Sequence, residues 1–289
     1  MVGFTCALLV VALSGCGVNS RSLDVLMESK VASLGDWADR DLVLREVKGK
    51  TGILIAPADG LVIETEAEGD VVKLAFSNPT ALQRGQSKSS GCAVPITRDG
   101  YFLTAAHCLE GAKAALITFA SAASGNPIVI KADWRVVWKS PDFRKFDLAI
   151  IHAAVPPTQM FVLRSVEGIG AGDAVGLTGY SGMGSVGPPR PSDAAGRILL
   201  ISEPRGKTPG PVWRLIQHDA PMCPGDSGGP LVDRSGRLIA INSLMRIRRI
   251  GQFLHSRSAD GLGYMGESVA PDPAWLKRVI EADRRAQVR

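Results

Sequence analysis

Three short stretches carry the side chains that could do covalent chemistry. Gly225-Asp226-Ser227-Gly228-Gly229-Pro230 sets a serine on a glycine-rich turn. There its hydroxyl can be presented as a nucleophile, and two backbone N–H groups can be aimed at one point. Alone, the hexapeptide could equally be an ordinary glycine-rich turn. Upstream lie Thr104-Ala105-Ala106-His107-Cys108 and Phe146-Asp147-Leu148-Ala149-Ile150-Ile151. A serine hydroxyl is a poor nucleophile at its own pKa, so it needs a base within hydrogen-bond reach and a group that orients that base. His107 is the candidate base and Asp147 its candidate orienting carboxylate. A single aspartate at the start of an apolar run would otherwise be read as facing solvent. His before Asp before Ser is one of three chain orders in which this constellation occurs.

The elements that must hold these residues read as short strands. Cys92–Thr97 and Tyr101–Ala105 flank the turn residues Arg98-Asp99-Gly100, and Ala115–Phe119, Val129–Val137 and Leu148–His152 follow. Pro156-Pro157 marks a crossing into a second half made of Ala174–Thr178, Arg197–Ser202, Val212–Gln217, Pro230–Asp233 and Arg237–Ser243. The stretch between Gly179 and Gly196, rich in Gly and Pro, reads as irregular. Near the end, Asp272-Pro273 followed by Trp275, Leu276, Val279 and Ile280 predicts a capped helix over about 272–284. With 32 glycines, 18 prolines and 6% aromatics, turns and short strands are favoured over long helices.

The motifs together resemble the chymotrypsin/trypsin family of serine proteases, the bacterial members most in motif style. The resemblance covers about residues 76–283 and implies an all-β fold of two antiparallel six-stranded barrels with a C-terminal helix. The first barrel would span about 76–157 and the second about 158–270. It implies a Ser-His-Asp triad of Ser227, His107 and Asp147, with an oxyanion hole from the backbone N–H groups of Gly225 and Ser227. Cys92 precedes Cys108 by the family's spacing for the disulfide behind the histidine; two buried thiols are the other reading. Gly179-Tyr180-Ser181-Gly182 takes the place of the family's Gly-Trp-Gly segment, and Ser243 the place beside the triad aspartate. The primary pocket would be lined by Pro221, Met222, Ser243, Leu244 and Met245, a neutral, narrow, apolar set suited to small aliphatic side chains. A rival reading enlists Arg246, Arg248, Arg249 or His255 to attract an acidic side chain.

The sequence also departs from the digestive members. Cys223 has no sequence partner after the nucleophile and reads as a small buried hydrophobe. No Arg-Ile-Val-Gly-Gly-like activation site precedes the first barrel, which leaves Asp226 without a named partner. His152, His218 and His255 lack metal-ligand spacing, so no metal and no cofactor is expected. The resemblance implies a protein or peptide substrate. Against an enzyme stands a catalytically silent, protease-like binding module; the presence of every triad member favours the enzyme.

The N-terminus points to export. Residues 1–15 carry no charge, and Leu8 to Leu13 form a short apolar core ending in Leu13-Ser14-Gly15-Cys16. This resembles the lipobox of bacterial lipoproteins, with Cys16 as the lipidated residue, although no Lys or Arg precedes the apolar run. It predicts a signal peptide over 1–15 and a protein tethered to a membrane of the bacterial cell envelope, the outer membrane or periplasm ahead of secretion. Residues 16–75 read as an extension of unknown role containing a helix over 22–34 and β-like runs at Gly52–Ala56, Leu61–Glu64 and Val71–Phe76. The net charge of +5 is clustered only at Arg246-Ile247-Arg248-Arg249, which reads as a solvated face, so nucleic acid is not an expected partner.

Overall fold

The computed structural model describes residues 37–55, 64–68, 71–75, 90–110, 113–121, 127–155, 159–181, 190–223, 225–249 and 262–288. The signal segment, Cys16, the helix expected over 22–34 and His255 lie outside them.

Helix α1 (Arg40–Lys50) leads directly into strand β1 (Gly52–Ile55). Then come β2 (Glu64–Glu68), β3 (Val71–Ala75), β4 (Ser90–Pro95), β5 (Tyr101–Thr104), β6 (Ala115–Ser121), β7 (Pro127–Ala132), β8 (Trp134–Lys139) and β9 (Ala149–Ala153). The second half contributes β10 (Ala174–Ser181), β11 (Arg190–Ile201), β12 (Arg205–Gly206), β13 (Val212–His218), β14 (Pro230–Val232), β15 (Leu238–Arg249), β16 (Leu262–Pro271) and helix α2 (Pro273–Gln287).

The strands form two seven-stranded antiparallel sheets, ordered β7-β6-β1-β4-β5-β9-β8 and β11-β10-β14-β15-β16-β13-β12, with β2 and β3 as a separate hairpin. The second sheet closes on itself through β11 and β13; the first is a half-barrel. Each sheet has seven strands where six were expected. The run read as one strand over Val129–Val137 is two, because the chain turns at Asp133 and its halves pair with different neighbours, β6 and β9. In the second sheet the additional member is the two-residue β12. The stretch from Gly179 to Gly196 is regular where described: Ser181 pairs with Arg190 and Thr178 with Asp193.

The largest difference from the sequence reading lies at the N-terminal boundary placed near residue 76. Strand β1 is an interior strand of the first sheet, with Ile53 opposite Cys92 on one side and Ile117 on the other. All four of its residues are buried. An interior strand cannot be removed without exposing two rows of backbone hydrogen-bonding groups, so the domain begins at or before α1.

One apolar cluster runs through both sheets and both helices. It joins Leu103, Phe146 and Ile150 of the first half to Val232, Ile241 and Val269 of the second, and takes in Trp37, Leu44, Val47, Trp275 and Ile280. The relative placement of the two halves, and of any site between them, rests on this shared core.

Candidate active site

Strand pairing brings His107 and Asp147 together. Thr104, at the end of β5, lies opposite Ala149, at the start of β9. His107 follows in the 3-10 turn Ala106–Leu109, and Asp147 precedes β9 by two residues. Asp147 is 3% exposed, and a buried carboxylate needs donors. It has three. The backbone N–H of His107 donates to Oδ1 at 2.9 Å, His107 Nδ1 lies 2.6 Å from Oδ2, and Ser243 Oγ donates to Oδ2 at 2.6 Å. Ser243 comes from β15 of the second sheet, so the carboxylate is gripped from both halves.

The serine turn is fixed by an equally dense set of bonds. Gly228 N donates to Asn242 O at 2.7 Å and Asn242 N to Gly229 O at 2.8 Å, which pins the turn to β15. Cys92 N donates to Ser227 O at 2.7 Å, which pins it to β4 of the other sheet. Gly225 has φ of 110°, a region that favours glycine. At Gly228 a β-carbon would come within 2.2 Å of Cys92 O. Asp226 turns inward: its Oδ2 accepts from Cys223 N at 2.7 Å and its side chain fills the space beside Gly179.

Ser227 Oγ donates to Ser243 O at 3.3 Å, and His107 Nε2 lies 3.7 Å from Cys108 Sγ. Burial works against a charge on His107, but Cys108 and the Asp147 carboxylate outweigh it and push its pKa up to about 11. Burial also pushes the Cys92 thiol well above its ordinary range, with Asp226 and Cys108 adding to the effect.

The bridge expected between Cys92 and Cys108 is not formed in the structure: both are buried thiols. Cys92 Sγ points to Gly225 O at 3.2 Å, and Cys108 Sγ lies 3.6 Å from Ser227 O. Cys223 is a half-buried thiol.

Of the expected pocket residues, Ser243 is on the site and Leu244, next to it, is 39% exposed. Met245 lies opposite Gly266 in the register. Pro221 is buried. Met222, 3% exposed, packs in the second barrel's core with Leu177, Ile198 and Leu231, so its side chain serves that core. The sequence reading missed Asn242 and Ser268. Ser268 Oγ donates to Asn242 Oδ1 at 3.0 Å and lies 3.1 Å from His218 Nε2, forming a buried polar chain behind the serine turn. These three residues sit on three strands, and no local motif announces their meeting. No group of metal-ligating side chains is present among the described residues.

A two-sheet β fold with a histidine–aspartate pair from one half and a serine turn from the other defines the class, and a comparison with known families agrees. Residues 90–241 match the trypsin-like peptidase domain, and the chain belongs to that family. Its relatives include DegP-like and HtrA serine proteases. It is 28% identical over 186 residues to a DegP-like periplasmic serine endoprotease of Halomonas elongata, covering 64% of this chain and 33% of the relative. It is 27% identical over 215 residues to the magnetosome formation protease MamE of Magnetospirillum gryphiswaldense, covering 69% and 25%. The chain thus spans about a third or less of these relatives' lengths. In fold it is similar to the HtrA-type protease AlgW, solved with a decapeptide, with a TM-score of 0.51 at 22% identity over 85% of this chain and 67% of that one.

Proposed function

We propose that the chain is a serine endopeptidase in which Ser227 attacks the peptide carbonyl, His107 takes its proton, and Asp147 holds the imidazole. The observation that carries this reading is the buried Asp147 carboxylate, bonded to His107 Nδ1 on one side and to Ser243 Oγ on the other, while the carbonyl of that same Ser243 receives Ser227 Oγ. Rotation of the serine hydroxyl from that carbonyl to His107 Nε2 completes the relay. The proton then moves to Nε2 as Oγ bonds to the carbonyl carbon, and returns to the leaving amine as the acyl-enzyme forms. The backbone N–H groups of Gly225 and Ser227 are the donors we assign to the oxyanion. Leu244 and Met245 are assigned to the pocket wall, which favours cleavage after small aliphatic residues.

The setting we propose is the bacterial cell envelope, with Cys16 as the lipid-bearing residue. The description of the Halomonas relative as periplasmic supports the compartment. The bond from Ser227 to Ser243 O, which leaves His107 Nε2 beside a sulfur, favours one other reading, the silent binding module.

Hydrolysis of a fluorogenic peptide library decides between them. Ser227→Ala should abolish turnover with the fold intact. Asp147→Asn should lower kcat by about 10⁴ through the wrong histidine tautomer. Turnover that survives Ser227→Ala would overturn the triad reading, and a wild-type protein that cleaves nothing would leave the binding module standing.

A further inference from the structure

Strand β15 is irregular at the point where it serves the site. Asn242 pairs with Ser268 of β16 and Leu244 with Glu267, so Ser243 has no partner there and the strand bulges. The bulge turns Ser243 toward the site: its Oγ donates to Asp147 Oδ2 and its carbonyl receives Ser227 Oγ. The residue before it grips the serine turn. Asn242 O accepts from Gly228 N, Asn242 N donates to Gly229 O, and Asn242 Nδ2 donates to Pro230 O at 3.3 Å. Asn242 and Ser243 therefore hold every residue of the turn from Ser227 to Pro230, and the Asp147 carboxylate as well.

The Asn242 side chain is itself held by donors that all point one way. Pro230 O can only accept, so the amide nitrogen of Asn242 faces it and Oδ1 faces Ser268. Ser268 Oγ donates its one proton to that Oδ1 at 3.0 Å. Its oxygen is then left to accept from His218 Nε2 at 3.1 Å, so that nitrogen carries a proton. His218, Ser268 and Asn242 are each 0% exposed. The ring of His218 fits because residue 266 is glycine: a β-carbon there would come within 2.1 Å of His218 Cε1. Apolar side chains could fill this part of the barrel without needing partners, whereas a satisfied polar chain adds a fixed orientation.

We propose that His218 is a positioning residue for the nucleophile. Its Nε2–H orients the Ser268 hydroxyl, Ser268 orients the Asn242 amide, and Asn242 sets the bulge from which Ser243 meets Ser227 and Asp147. This rests on the triad reading above. The three side chains act in series, so loss of any link loosens the bulge and loss of a second adds nothing.

The test is fluorophosphonate labelling of Ser227 in full-length protein. The maximal labelling rate and the half-saturating probe concentration are measured separately, and thermal melting checks the fold. A misplacement of about 1 Å can slow an enzyme by about 10²-fold. Ser268→Ala and His218→Leu should each lower the maximal rate by about tenfold or more, with the half-saturating concentration within about twofold of wild type. His218→Gln, whose amide nitrogen can still donate to Ser268, should recover to within about threefold of the wild-type rate. The double variant His218→Leu with Ser268→Ala should be as slow as the slower single variant, and not slower by the product of the two effects. A role in packing alone would lower the melting temperature and leave the labelling rate of folded protein unchanged.

A folded Ser268→Ala that labels at the wild-type rate, or a His218→Gln no faster than His218→Leu, would overturn the proposal while leaving the triad in place. So would single effects that multiply in the double variant. If His218→Leu fails to fold, Ser268→Ala against wild type decides alone. A wild-type protein that does not label would sink the triad reading, and this inference with it.

Discussion

Helices α1 and α2 both lie against the shared core, yet they are held there by different physics. Helix α2 carries its own instructions. Asp272 caps it, accepting from Trp275 N at 2.6 Å, and Pro273 occupies its first turn. Trp275 then meets Trp138 edge-on at 4.8 Å, beside the stacked pair of Phe146 and Trp213. Its last turns are fastened to the first sheet by charge. Arg135 donates to Asp283 through two bonds of 2.9 and 2.6 Å, Tyr101 Oη donates to the same carboxylate at 2.8 Å, and Arg284 grips Asp99 through two more. Helix α1 has no side-chain cap from Asp39 and buries only Leu44 and Val47 among its own residues. What holds it is chiefly a complementary surface on β10, where Gly176 is bare beneath Leu44 and Trp37 and Thr51 Oγ1 lies 3.2 Å from Thr178 Oγ1, together with one ion pair from Lys48 to Asp193 of β11. One helix is specified locally; the other is specified by a glycine more than a hundred residues away.

That contrast predicts unequal responses to substitution. The largest should come from α1. Leu44→Ala removes a residue that is 4% exposed and leaves a cavity against Gly176, costing about 2–5 kcal/mol in urea unfolding. Hydrolysis should fall with it, because β10 also carries Gly179, against which Asp226 packs. A cost below about 1 kcal/mol would mean that α1 is an appendage and not a part of the core.

A smaller effect is expected at the cap of α2. Asp272→Ala should cost about 1 kcal/mol, with Asp272→Asn restoring most of it, since both oxygen-bearing side chains can accept from Trp275 N. Equal losses in the two variants would show that the cap bond contributes little.

The smallest effect belongs to the ion pairs. Asp283 has its pKa lowered, first by the hydrogen bond from Arg135, and Asp99 by that from Arg284. A carboxylate whose folded pKa is depressed adds stability above its unfolded value near 4, and loses it as the pH falls through that value toward the folded one. Thermal stability should therefore decline as the pH drops below about 4, and Asp283→Asn should flatten part of that decline. At pH 7 the same substitution should cost about 1 kcal/mol, because the amide keeps one oxygen that can still accept from Arg135 or Tyr101 in the half-buried network. A large loss at neutral pH would place Asp283 with the core and erase the distinction between the two helices.

The same contrast explains which features were legible in the sequence. The cap and apolar face of α2, the turn at Arg98-Asp99-Gly100 and the glycines around Ser227 are local signals, and each stands where the sequence placed it. Strand β1 was read as a strand but assigned to an extension, because only its pairing with Cys92 and Ile117 shows that it belongs in the middle of a sheet. Strand β16 was missed: Gly266 and the polar Glu267 and Ser268 break the apolar alternation, and all three are buried through neighbours on β13 and β15. At the site, His107, Asp147 and Ser227 were legible as residue types in order. The orientation of Ser227 toward Ser243 O and of His107 Nε2 toward Cys108 was not, since rotamers at a contact between two sheets leave no trace in the spacing of a motif.

The central claim is that the two halves meet to activate one serine. Mass spectrometry of the protein after reaction with a fluorophosphonate tests it most directly, because the reagent bonds only to a serine whose proton can be taken. The account predicts a single adduct on the peptide containing Ser227, lost in Ser227→Ala and in His107→Ala while both variants remain folded. An adduct elsewhere, or one on Ser227 that persists when His107 is removed, would contradict it.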